Sequence, residues 1–119
     1  MLHVENLIQR LINLPKEYRS SNISMYALLK QTGYFELYNQ IDETNILKEL
    51  IINPECFEQW LLLSADKRTT SGWYFIEEND LYIVGYYPKE QNPTLLKYSD
   101  VNKACAAFIK REIESIRTI

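Results

Sequence analysis

Glycine, histidine and cysteine are scarce in this chain, and each shortage closes off a class of function. With three glycines, a phosphate-cradling loop is hardly available, and neither GxGxxG nor GxxxxGK[ST] occurs. His3 is the only histidine and lies two residues from the terminus, so as a general base or metal ligand it would stand alone. There is no HExxH and no CxxC. Cys56 and Cys105 each fall inside an apolar helical pattern, which suits small buried thiols in a reducing compartment; spacing alone leaves a disulfide open. Neither cysteine has a local cue for a partner base.

Positive charge is also thinly spread. No Lys/Arg run exceeds the pairs Lys67-Arg68 and Lys110-Arg111, and 13 basic residues against 16 acidic leave a net charge of -3. That balance counts against direct nucleic-acid contact, which wants a concentrated basic surface. The longest apolar runs, Trp60 to Leu63 and Leu81 to Val84, fall far short of the roughly 20 residues of a membrane span. MLHVENLIQRL has no basic region followed by an apolar run, so it does not read as a signal peptide. Sixteen acids could hide a hydrolytic carboxylate pair, but nothing selects one. The expectation is a soluble cytoplasmic protein with no catalytic residues, metal or cofactor, and with neither membrane nor nucleic acid as partner.

What is present is enough for one domain spanning 1–119. The hydrophobic content of 46% and charged content of 24% are those of a globular protein, and a chain of this length needs no staple. Helical spacing of Leu2, Val4, Leu7, Ile8, Leu11 and Ile12 predicts a first helix, with Pro15 marking its stop. Asn22 or Ser24 caps a second, ended by Gly33; Asp42 starts a third through Ile51. Asn53-Pro54 then breaks into a fourth, Glu55 to about Ala65. From Ser71-Gly72 the pattern changes to strands: Trp73 to Glu77, a Glu78-Asn79-Asp80 turn, Leu81 to Tyr87, and Thr94 to Tyr98. Asp100 caps a last helix through Arg117. The fold class is therefore α+β: N-terminal helices, a three-stranded antiparallel β-meander, and a C-terminal helix packed on the sheet.

The hairpin KRTTSGWYFIEENDLYIVGYYP carries six aromatic rings. Alternation puts Trp73, Phe75 and Glu77 on one face of the first strand and Tyr74, Ile76 and Glu78 on the other. Tyr82, Val84 and Tyr86 likewise oppose Leu81, Ile83, Gly85 and Tyr87. Both faces are apolar or aromatic near the middle, unlike a sheet with one wet face. Either helices cover both faces, or they cover one and the other docks a partner. For docking, the candidates are Tyr74, Tyr82 and Tyr86, whose rings bury area at small entropic cost, with Glu77, Glu78 and Asp80 to attract a basic partner. An RNA-stacking sheet would come with basic residues, whereas this turn is acidic.

In the last helix Val101, Cys105, Phe108, Ile109, Ile113 and Ile116 form an apolar stripe. Glu112 falls inside it, about 20° from Val101 on the helical wheel. A carboxylate there must be paired or lie at the stripe's exposed end; Arg68 is the candidate partner, as a structural ion pair, with a catalytic acid as the second reading.

The segment ADKRTTSGWYFIEENDLYIVGYYP, followed by YSDVNKACAAFIKREIESI, resembles small immunity proteins of bacterial contact-dependent growth inhibition and related polymorphic toxin systems. The shared features are an SxxKR element leading to SGWYF, a short hairpin, and a C-terminal helix bearing Cys and Phe, from Ser64 to Ile116. The resemblance implies a cytoplasmic protein that binds one cognate toxin C-terminal domain, blocking its active site or its substrate. Many such toxins are basic nucleases, often cutting tRNA. The other reading of the same residues is a non-catalytic adaptor or regulatory module, self-associating through the tyrosine face.

Overall fold

The computed structural model describes residues 2–67 and 71–119; Arg68, the expected partner of Glu112, lies outside them, as does the side chain of His3. Helix α1 (Leu2–Ile12) buries Leu7, Ile8, Leu11 and Ile12, the face its spacing dictates. Pro15 does not simply end it. It sits in the first turn of a further helix, α2 (Leu14–Ser20), where a missing N–H costs nothing. Helix α3 (Met25–Gln31) starts at Ser24, whose hydroxyl accepts from the Ala27 N–H at 3.1 Å. After Gly33, held at φ 91°, come a single-turn helix α4 (Tyr34–Leu37) and a 3-10 turn (Tyr38–Gln40).

Helix α5 (Glu43–Ile52) opens with a capping box: Asp42 accepts from the Asn45 N–H while Asn45 accepts from the Asp42 N–H, both at 2.9 Å. Helix α6 (Cys56–Lys67) buries Trp60, whose indole N–H donates to the Ile12 carbonyl at 3.0 Å. That bond satisfies an orphan carbonyl at the C-terminus of α1 and ties the two helices together. Cys56 and Cys105 are buried free thiols.

Strands β1 (Gly72–Glu78), β2 (Leu81–Tyr87) and β3 (Leu95–Tyr98) form an antiparallel meander in the order β1-β2-β3. Asn79 and Asp80, with φ 53° and 65°, make the two-residue turn whose twist suits a hairpin. This sets the register Phe75↔Val84 and Glu78↔Leu81. Helix α7 (Val101–Arg117) is capped by Asp100, which accepts from the N–H groups of Asn102 and Lys103 at 2.8 and 3.2 Å.

Helix α7 is the centre of the molecule rather than a helix with one apolar stripe. Residues Ala104 through Ile109 are buried consecutively, all round the helix. One side meets the sheet, where Phe108 stacks on Phe75 with ring centroids 5.6 Å apart; the other meets α5 and α3. The alanines 104, 106 and 107 allow that close approach on both sides. The layers are thus sheet, then α7 flanked by α6, then the remaining helices. Glu112 is buried, 7% exposed. Among the described residues, no helix is long and apolar enough to cross a membrane.

Candidate protein-binding site

The register divides the meander into two faces. The inner face carries Trp73, Phe75 and Glu77 on β1, Tyr82, Val84 and Tyr86 on β2, and Leu96 and Tyr98 on β3. Phe75 and Val84 are fully buried against α7, and Trp73, Tyr82, Leu96 and Tyr98 pack around the same core. Helix α6 closes the β1 edge: the buried Ser64 hydroxyl accepts from the Phe75 N–H at 2.7 Å, giving an edge amide a partner.

The outer face carries Tyr74, Ile76 and Glu78, then Leu81, Ile83, Gly85 and Tyr87, then Leu95 and Lys97. Ile83 is its one buried apolar side chain, 7% exposed; Tyr74, Ile76, Leu81, Tyr87 and Leu95 stand outside the core cluster. Tyr87 is 56% exposed and Leu95 53%, while Tyr74, Ile76 and Leu81 are half-buried among their neighbours. Gly85 is required here because the Tyr74 ring lies across it: a Cβ at Gly85 would sit 2.6 Å from Tyr74 Cζ. The laid-down ring makes that part of the face level. Helices therefore cover one face and leave the other half-open.

The six residues singled out in the sequence do not converge on one surface. Tyr74 and Glu78 belong to the outer face, with Asp80 at the hairpin tip. Tyr82 and Tyr86 belong to the inner face: Tyr82 leans on Phe75 with centroids 6.4 Å apart, and Tyr86 meets the edge of Trp73 at 5.2 Å. Glu77 is exposed beside Tyr82 at the inner end of the tip. Burial, and then the Glu77 and Asp80 carboxylates, push the Tyr82 hydroxyl pKa up, so the phenol stays neutral beside them. Alternation placed Tyr87 opposite Tyr82 and Tyr86, but neither Tyr87 nor Leu95, the exposed large apolar side chains of the outer face, was among the residues singled out. A two-residue Asn79-Asp80 turn would have disclosed the register and so found them.

The other polar cluster lies between α4 and α7. The Lys110 ammonium donates to the Tyr34 hydroxyl at 2.7 Å and to the Tyr38 and Ile41 carbonyls at 3.1 and 2.6 Å. Tyr34 donates to Glu114, which Arg117 grips at 2.8 and 3.0 Å; the guanidinium lies 3.6 Å from the Tyr38 ring centroid. Burial lowers the Lys110 pKa and raises that of Tyr34, and the Arg117 hydrogen bonds hold Glu114 below the usual carboxylate range. Every donor of Lys110 is used within the protein, so the cluster locks the α4 segment to α7.

Two concave features among the described residues are small or open. A cavity of about 180 Å³ beside Glu43, Tyr98 and Lys103 is below the roughly 300–1,000 Å³ of ligand sites. A depression of about 430 Å³ at the α2–α3 turn, lined by Tyr18, Ser21, Asn22, Ile23 and Ser24, carries no charged group. Among the described residues, no three His, Cys, Asp or Glu side chains are placed to hold a metal ion. No protein-family model matches the chain, and neither does any curated protein or solved structure.

Proposed function

We propose that this chain is a bacterial immunity protein: it binds one cognate toxin domain in the cytoplasm and neutralises it without catalysis. The observation that carries this reading is the half-open outer face of the sheet, apolar and aromatic, beside a hairpin tip bearing Glu77, Glu78 and Asp80. A partner with a basic, flat surface fits that combination, and a nuclease domain built to hold phosphate has such a surface. The resemblance of the Ser64–Ile116 segment to immunity proteins points the same way. Neutralisation then follows from occupation: a toxin whose basic surface is covered has no access to its RNA substrate.

The test is protection. The toxin domain encoded directly upstream is expressed under an inducible promoter with and without this chain, in cells lacking both. Growth restored by this chain, together with its co-purification with the toxin domain, supports the reading. Arrest in its presence removes it.

A further inference from the structure

We propose, resting on the immunity reading, that the toxin contact is the outer sheet face, with Tyr74, Ile76, Tyr87 and Leu95 as apolar anchors and Glu78 and Asp80 receiving a cationic side chain of the toxin. The first ground is packing. On the inner face Phe75 and Val84 belong to the core cluster and Trp73, Tyr82, Leu96 and Tyr98 pack against it, whereas on the outer face only Ile83 is buried and Tyr74, Ile76, Leu81, Tyr87 and Leu95 stand outside that cluster. Exposed apolar side chains grouped on one sheet face, Tyr87 and Leu95 beside the half-buried Tyr74 and Ile76, mark an interaction site.

The second ground is charge. At the outer face and its tip stand the carboxylates of Glu78 and Asp80, with Glu77 next to them on the inner side, against one ammonium among the described residues, Lys97. Glu78 and Asp80 pair with no cation among the described residues, whereas Glu17, Glu43 and Glu114 are matched by Arg10, Arg111 and Arg117. A second copy of the chain would bring like charges together on this face. A cationic partner would not, and would be steered to it.

The third ground is the edge. Strand β3 has four residues, Pro93 just before it and Lys97 within it, devices that discourage strand addition. Contact is therefore by side chains on the face and not by an added strand. The level surface that Tyr74 makes over Gly85 suits a flat partner surface. Tyr82 and Tyr86 support the sheet from beneath and do not touch the toxin.

Three variants test this by titration against the upstream-encoded toxin domain, with circular dichroism to show that each is folded. Tyr87→Ala/Leu95→Ala removes the most exposed anchors and should raise Kd about 30-fold or more. Glu78→Lys should slow association about 10-fold at low salt, with the difference vanishing at high salt. Tyr82→Phe, on the inner face, should bind like the wild type. Folded outer-face variants with wild-type affinity would overturn this surface while leaving the immunity reading standing. A wild-type chain that does not bind the toxin at all overturns both. A wild-type dimer in sedimentation, dispersed by Tyr87→Ala/Leu95→Ala, would make a second copy the occupant and overturn the cationic toxin.

Discussion

Replacing Gly85 by alanine probes the outer face without touching the core. The new Cβ would fall 2.6 Å from Tyr74 Cζ, so the ring must swing off the sheet. Tyr74 is half-buried; if lifting it returns roughly 80 Å² of ring to water, the loss is about 2 kcal/mol at about 25 cal/mol per Å². Alanine in a strand recovers about 0.5–1 kcal/mol of the backbone entropy that glycine costs. The net expectation is a destabilisation of about 1 kcal/mol, or about 4 °C in Tm for a domain of this size. The decisive comparison is the double-mutant cycle with Tyr74→Ala, read by urea denaturation. With the ring gone, Gly85→Ala should change sign and stabilise by about 0.5–1 kcal/mol. An equal cost in both backgrounds would show that the alanine clashes with something other than Tyr74.

Three further outcomes follow from the polar contacts. Ser64→Ala strips the buried Phe75 N–H of its acceptor and should cost about 1–3 kcal/mol, with faster hydrogen exchange at the Phe75 amide; stability within experimental error of wild type would refute the edge closure. Tyr34 has a folded pKa raised above its unfolded value, so its contribution is present below about pH 10 and is lost as pH rises beyond it. Tyr34→Phe should therefore flatten the alkaline loss of stability by up to about 1.4 kcal/mol per pH unit, and identical slopes in the two proteins would contradict the assignment. Glu114 has the opposite sign: its depressed pKa gives a contribution present above the unfolded carboxylate value and lost on acidification, so Glu114→Gln should be less acid-sensitive in urea titrations.

Much of the fold was legible because the chain punctuates itself chemically. Asp100 and Asp42 accept first-turn N–H groups, Ser24 does the same, and α7 runs from Val101 to Arg117 as its spacing and cap require. The hairpin was equally plain from two aromatic, β-branched runs around a polar break. Helix α2 was hidden because Pro15 punctuates a helix start as readily as a stop, and α4 because four residues carry no periodicity. The all-round burial of α7 could not be read from its stripe. It depends on the sheet and α5 meeting it from opposite sides, which is a property of the tertiary arrangement. For the same reason the candidate site was half legible: each strand declares its two faces, but only the turn and the packing of Phe75 on Phe108 decide which tyrosines face inward. The pairing expected between Glu112 and Arg68 lies outside the described residues.

The central claim is that this chain neutralises a basic toxin domain by binding it. Isothermal titration of the chain into the upstream-encoded toxin domain, at low and high salt, addresses that claim most directly. Nanomolar affinity that weakens as salt rises is the predicted result, because the acidic tip and a cationic toxin surface attract through a screened field. Absence of binding at both salt concentrations would contradict the account.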